Sequence, residues 1–227
     1  MHDPTERVLL ASAVDLAPSP TSARRGHRSR NQWSSSIAKR MIDIILAFVL
    51  LLALAPMLMI IAMAIRWESS GPILFRQERT GLHGRTFMIL KFRTMRHGKE
   101  IEEQARKGDG RITRVGSFLR TTSMDELPQL LNVFRGDMSF VGPRPHPVWL
   151  DAKYGTLVNH YDRRFLVKPG ITGLAQINRC RGQTETLQAM EERIGWDLRY
   201  TRESSPRLDA LIMIHTIFVT LSCEGAG

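Results

Sequence analysis

The sequence predicts a helix-dominated α/β to α+β domain built against a membrane helix, and three features of its 227 residues carry that prediction. The first is an uncharged run of 22 residues, 44–65. The second is a pair of short β-patterned stretches that follows it. The third is the recurrence of Leu187, Met190, Ile194 and Leu198 at three- and four-residue spacing, the signature of an amphipathic helix. The 43% hydrophobic content is ordinary for a globular chain, and the length suffices to bury a core, which excludes wholesale disorder and a disulfide-held mini-protein. Cys180 and Cys223 show no ligand-like or C-x-x-C spacing, so a thiolate zinc site is not expected and a reducing compartment is.

Taken in order, residues 1–36 come first. They run through Pro18-Ser19-Pro20 and Arg24-Arg25-Gly26-His27-Arg28 without helical or strand periodicity, and read as a disordered basic arm. The arm is no signal peptide, because the apolar run starts too late and lacks a small-residue cleavage pattern.

The membrane segment, placed over residues 37–66, is next. At about 1.5 Å per residue its uncharged part makes a helix of about 33 Å, enough for a bilayer core. Pro56 removes a backbone donor and clashes with the carbonyl of Leu52, which predicts a kink or break there. Charge adds a second consideration. Of the formal +10, residues 1–40 hold seven basic and three acidic groups and residues 66–135 hold fourteen and eight, so positive charge flanks the segment on both sides. The positive-inside tendency would keep both flanks in the cytoplasm. A Pro-kinked single crossing and a re-entrant helix that leaves by the leaflet it entered both remain open on these grounds.

Gly71-Pro72 reads as a turn into a strand starting near Ile73. Gly81-Leu82-His83-Gly84 is a second turn, and residues 86–92 form a second strand, giving a hairpin. Residues 99–107 are charged and polar, a solvated helix or loop. Residues 127–134 read as a buried helix and residues 184–201 as the amphipathic one. The apolar run 208–221 contains Asp209 and His215 and is too short to span a bilayer, so it should pack on the domain or lie in the interface.

Chemistry centres on the adjacent carboxylates Asp125 and Glu126. Ser123 and Glu126 have the spacing of a capping box, and a helix N-terminus is the plainer reading of the pair. The surroundings favour more. Lys91, Arg93, Arg96, Arg111, Arg114 and Arg120 lead up to the carboxylates, and Pro143-Arg144-Pro145 follows them as a rigid turn presenting one guanidinium. Paired carboxylates among cations suit magnesium-assisted phosphoryl transfer, or attack of a carboxylate on phosphorus to give an acyl phosphate. No P-loop or Rossmann phosphate motif occurs. Nucleic acid is not the expected partner, since aromatics are 7% and no reading helix or zinc-finger pattern is present.

Several runs in one order carry a resemblance: Lys39-Arg40-Met41-Ile42-Asp43, Phe75-Arg76-Gln77-Glu78-Arg79-Thr80-Gly81, Lys91-Phe92-Arg93-Thr94-Met95, Ser123 to Leu131, Gly136-Asp137-Met138-Ser139-Phe140-Val141-Gly142-Pro143-Arg144-Pro145 and Lys168-Pro169-Gly170-Ile171-Thr172-Gly173. Over about residues 37–221 the chain resembles the bacterial sugar transferases, the monotopic phosphoglycosyl transferases that begin exopolysaccharide and glycoconjugate assembly.

The resemblance implies transfer of hexose-1-phosphate, of glucose or galactose, from a UDP-sugar to undecaprenyl phosphate with release of UMP. It implies Asp125 as the nucleophile that carries the sugar phosphate, Glu126 as a ligand of Mg2+, and Lys91, Arg120, Pro143, Arg144 and Pro145 as substrate-binding residues. It places Pro56 at the break of a re-entrant helix, the enzyme on the bacterial inner membrane, and residues 67–227 on the cytoplasmic face as the catalytic domain. It also admits a homodimer or an assembly with downstream glycosyltransferases. Arg179, Gln183 and Ser204 depart from the family pattern, which bears on the sugar. The alternatives are a membrane-bound glycosyltransferase that releases UDP and a non-enzymatic basic membrane-surface protein.

Overall fold

In a computed structural model of the chain, residues 33–96, 109–178, 180 and 186–221 are described. Most of the basic arm, the 99–107 stretch, Arg179 and Gln183 lie outside them. The last residues assigned to the arm do not behave as one. Ser36 caps the first helix, accepting from the Lys39 N–H at 3.1 Å, and the Trp33 indole donates to Asp209 at 2.8 Å.

Helix α1 runs Ile37–Glu68. Its buried residues Lys39, Asp43, Ala47, Ile61 and Ile65 recur every four residues or at multiples that return to the same side, so one stripe faces the domain. Ile45, Phe48, Val49, Leu52, Met59, Ile60 and Met63 stay exposed. Sequence predicts a kink or break at Pro56, and of the two the break does not occur: the helix is one continuous element with the proline inside it. A proline removes a single donor, and here the turns on each side are held separately by packing. Ala47 packs with Ile89, Val133 and Met138, while Ile61 and Ile65 pack with Phe92 and Leu119. By length and composition α1 could cross a bilayer. Both of its ends nevertheless rest on the same domain. Arg40 donates to the carbonyls of Val133 and Phe134 at 2.7 and 2.8 Å, and Glu68 accepts from the N–H groups of Arg114 and Val115 at 2.6 and 2.9 Å.

Strands β1 (Leu74–Thr80) and β2 (Thr86–Phe92) pair antiparallel from Leu74↔Phe92 to Thr80↔Thr86. His83 and Gly84, at φ of 56° and 75°, supply the left-handed backbone that the short connection needs. Helix α2 (Arg114–Thr121) is capped by Thr113, which accepts from Gly116 N–H at 2.9 Å. Helix α3 (Gln129–Arg135) lies on β2, fixed by the buried Asn132, which accepts from Leu90 N–H at 3.0 Å and donates to the Met88 carbonyl at 2.8 Å.

The remaining pieces form a second layer. Strands β3 (Ser139–Val141) and β4 (Gly170–Thr172) pair in parallel. Helices α4 (Val148–Tyr154), α5 (Leu174–Ile177), α6 (Leu187–Glu203) and α7 (Pro206–Leu221) pack around them. The predicted amphipathic helix is α6, capped by Thr186. Its Met190 and Ile194 meet Leu150, Tyr154 and Tyr161, while Tyr200 joins Val141, Leu174 and Ile212 of α7. The C-terminal run packs on the domain as expected. The reason it tolerates an acid is visible: Asp209 pairs with Lys39 of α1 and accepts from Tyr200 Oη at 2.8 Å. Its Leu211, Ile214, Ile217 and Phe218 remain exposed.

Candidate active site

The carboxylate pair lies between α2 and α3, in a 3-10 turn Met124–Glu126. The capping box does not form. Ser123 is left-handed at φ 57° and caps nothing with its side chain, and α3 begins only after Pro128, whose fixed φ suits the first turn of a helix. The turn therefore frees both carboxylates from helix capping.

They are used differently. Glu126 Oε1 accepts from Lys91 Nζ at 2.6 Å and from Arg144 Nη2, and its Oε2 accepts from Arg144 Nη1 at 3.1 Å. Among the described residues, no hydrogen bond or ion pair engages the carboxylate of Asp125. One acid is saturated and its neighbour is open.

Electrostatics separates them further. Burial works to raise Glu126, but the charges and hydrogen bonds of Arg144 and Lys91 hold it well below the usual carboxylate range. Asp125 is raised, first by burial and then by the anion of Glu126, against the pull of Lys91. The half-buried Asp125 is thus a stronger base than an exposed aspartate. Burial pulls Lys91 below its usual value despite Glu126, whereas Glu126 raises Arg144 above its own.

Of the cations expected around the pair, Lys91 and Arg144 bind it directly. Arg120, in the last turn of α2, contributes only its field at Asp125. Arg93 turns away to Ser69, and Arg111 pairs with Asp109.

Arg144 sits in a loop whose four consecutive carbonyls are all bonded. Gly170 N–H donates to Pro143 O at 2.9 Å, Arg164 Nη2 to Arg144 O at 2.6 Å, Arg79 Nη1 to Pro145 O at 3.0 Å, and Thr80 N–H to His146 O at 3.4 Å. Pro143 and Pro145 are buried against this frame. Gly142 allows the approach, since a Cβ there would stand 2.3 Å from the Lys168 carbonyl. Arg164 is itself held by Asp197 at 2.9 Å and lies 2.7 Å from His146 Nδ1. Burial, then the Arg164 charge, pushes His146 down to about 3, so it is neutral at physiological pH. Sequence alone does not single out Arg79, Arg164 or Asp197. Isolated arginines in a strand and in a Tyr-Asp-Arg-Arg run carry no spacing signal.

Magnesium, implied at Glu126, would find hard oxygen donors there only once a cation now bound to that carboxylate moved aside. Arg144, whose side chain keeps 31% of its exposure against 17% for Lys91, is the partner better able to give way. No cluster of three or more metal-binding side chains occurs among the described residues, so substrate oxygens and water would have to complete the ion's shell.

A helix-dominated domain with one exposed apolar helix long enough to cross a bilayer, and an acid pair set among cations, fits a protein that associates with membranes. A family profile described as bacterial sugar transferase matches residues 34–223, and the chain belongs to that family. It is 50% identical over 214 residues to the UDP-glucose:undecaprenyl-phosphate glucose-1-phosphate transferase of Xanthomonas campestris pv. campestris, covering 92% of this chain and 44% of that protein. It is 47% identical over 193 residues to the protein of the same name from Caulobacter vibrioides, covering 84% and 72%. It is 37% identical over 212 residues to the UDP-N-acetylgalactosamine-undecaprenyl-phosphate N-acetylgalactosaminephosphotransferase of Aeromonas hydrophila, covering 88% and 49%. The chain thus spans less than half the length of the Xanthomonas and Aeromonas relatives.

Proposed function

We propose that this chain transfers hexose-1-phosphate from a UDP-sugar to undecaprenyl phosphate, with release of UMP, through a covalent adduct on Asp125. The observation that supports this most is the asymmetry of the dyad, in which Glu126 is saturated by two cations and Asp125 is open. An Asp125 oxygen attacks the phosphorus that bears the sugar, and the bond from that phosphorus to the bridging oxygen breaks, so UMP leaves with the electron pair. An oxygen of undecaprenyl phosphate then attacks the same phosphorus and returns Asp125 to its carboxylate. No general base is needed for the first step, because the attacking group is already an anion.

The obstacle is repulsion between Asp125 and an anionic diphosphate. Lys91 and Arg144 lie where they oppose it, and Arg144 offers a planar fork matched to phosphate oxygens. Magnesium held by Glu126 would add neutralising charge on the diphosphate. Glucose is the first candidate sugar, since the relatives near 50% identity are named for it. Galactose is the second to try.

At the membrane, α1 acts as a re-entrant element at the cytoplasmic face of the inner membrane. Both of its ends hold to one domain, while Phe48, Val49, Leu52 and Met59 stay exposed for lipid, as do Ile214 and Phe218 of α7. The deciding assay supplies the purified chain in membranes with magnesium, undecaprenyl phosphate and UDP-glucose. UMP is the expected product, and UDP would reject the reading in favour of ordinary glycosyl transfer.

A further inference from the structure

We infer that Arg79 and Arg164 are positioning residues for this reaction: by clamping the carbonyls of Pro145 and Arg144, they set the direction in which Arg144 presents its guanidinium. The inference rests on the reading of Arg144 as a group that binds the transferring phosphate.

The geometry is unusual for a surface turn. Arg79 reaches from the end of β1 to Pro145 O at 3.0 Å, and its other nitrogen is fixed by Gln77 Oε1 at 2.6 Å. Arg164 donates to Arg144 O at 2.6 Å and is anchored by Asp197 of α6 at 2.9 and 3.2 Å. Arg79 uses Nη1 for the loop carbonyl and Nη2 for Gln77, while Arg164 shares Nη2 between the loop carbonyl and Asp197 and adds Nε to Asp197 and Nη1 to Asp151 at 3.3 Å. A lysine in either place offers one nitrogen on a flexible stem and cannot hold all of these acceptors in the same geometry.

Charge makes the arrangement informative. Arg164 is balanced by Asp197 and Asp151 at 2.9 and 3.3 Å, whereas Arg79 supports, with neutral partners, a loop that carries another cation, which is electrostatically adverse. Burial, followed by Arg144, pushes Arg79 down to about 10. Neutral donors would hold a merely structural turn without that repulsion. Arg144 is forked onto Glu126, whose charge is the largest influence on it, in the acid pair where the transferred phosphate would lie.

The test is a set of double-mutant cycles on UMP release. Arg79→Lys and Arg164→Lys are each made in the parent chain and in the Arg144→Ala background, with kcat, KM and thermal midpoint measured in the same detergent. In the parent chain each should lower kcat by about ten- to a hundred-fold, the scale of a misplaced catalytic group. In the Arg144→Ala background the same changes should cost less than about two-fold, because residues acting through one group are not additive. Equal fold-losses in both backgrounds, or no loss in the parent chain, would overturn the inference. Should Arg164→Lys fail to fold, the cycle on Arg79→Lys, at its half-buried strand end, decides the matter alone. Full UMP release by Arg144→Ala would instead sink the reading of Arg144 itself.

Discussion

Glu126→Gln is the substitution whose consequences the geometry defines most fully. Glutamine keeps the shape but offers one acceptor oxygen and an amino group in place of two acceptors. Glu126 accepts from Lys91 Nζ and from two nitrogens of Arg144, so at least one donor is left facing another donor. Removing one partner of a well-buried pair costs about 3–5 kcal/mol, and a charged hydrogen bond contributes about 1.5–3. The Glu126 side chain retains 17% exposure, and Asp125 stands beside it to take up part of the cationic charge. Those two facts place the expected loss at about 2–3 kcal/mol, or about 4–12 °C in thermal midpoint for a chain of this size.

The pH dependence tests the cause. Glu126 is depressed below its ordinary value of 4.5, so its pairing stabilises the fold fully above that value and is lost as pH falls toward the folded one. The gap between parent and variant should therefore be complete at neutral pH. Below about pH 4.5 it should narrow, by at most about 1.4 kcal/mol per pH unit, as pH falls toward the folded value. Urea unfolding followed by tryptophan fluorescence, at a series of pH values in one detergent, measures both quantities. Equal stability at neutral pH, or a gap that acid leaves unchanged, would refute the assignment of Lys91 and Arg144 as partners of an ionised Glu126.

Asp125→Asn should abolish UMP release and any trapped phosphosugar adduct. Because burial and Glu126 raise Asp125, its ionisation costs stability above its unfolded value, so the same variant should have a higher thermal midpoint than the parent at neutral pH, read by thermal unfolding in the same detergent. Gly142→Ala places a Cβ 2.3 Å from the Lys168 carbonyl and should destabilise by about 1–3 kcal/mol while displacing the Arg144 loop, read by urea midpoint and UMP release together. Single cysteines at Ile37 and Trp67, 82% and 87% exposed at the two ends of α1, should both react with an impermeant maleimide from the cytoplasmic side only; labelling of either from the periplasm would contradict the re-entrant arrangement.

Which parts of the molecule can be read from the chain follows from how far each interaction reaches along it. The second strand of the hairpin is legible to the residue at 86–92, since alternation and the glycines of the turn are local signals. The helix expected over 127–134 is real but starts at Gln129, because Pro128 sets its entry; the same proline leaves the predicted capping box unformed. Strands β3 and β4 have three residues each, too few for any period, and their pairing joins segments about thirty positions apart. At the site the residue types are legible as a cluster of acids and cations, but the partnerships are not. Lys91 and Glu126 lie 35 positions apart, and Arg79 finds the Pro145 carbonyl across 66. A backbone carbonyl is present at every position, so nothing in a sequence marks the one that an arginine will seek. The acid pair announces its chemistry through its side chains, whereas the frame that aims Arg144 is built from main-chain acceptors and becomes visible only once β1, the Tyr161–Leu166 turn and α6 are brought around the loop.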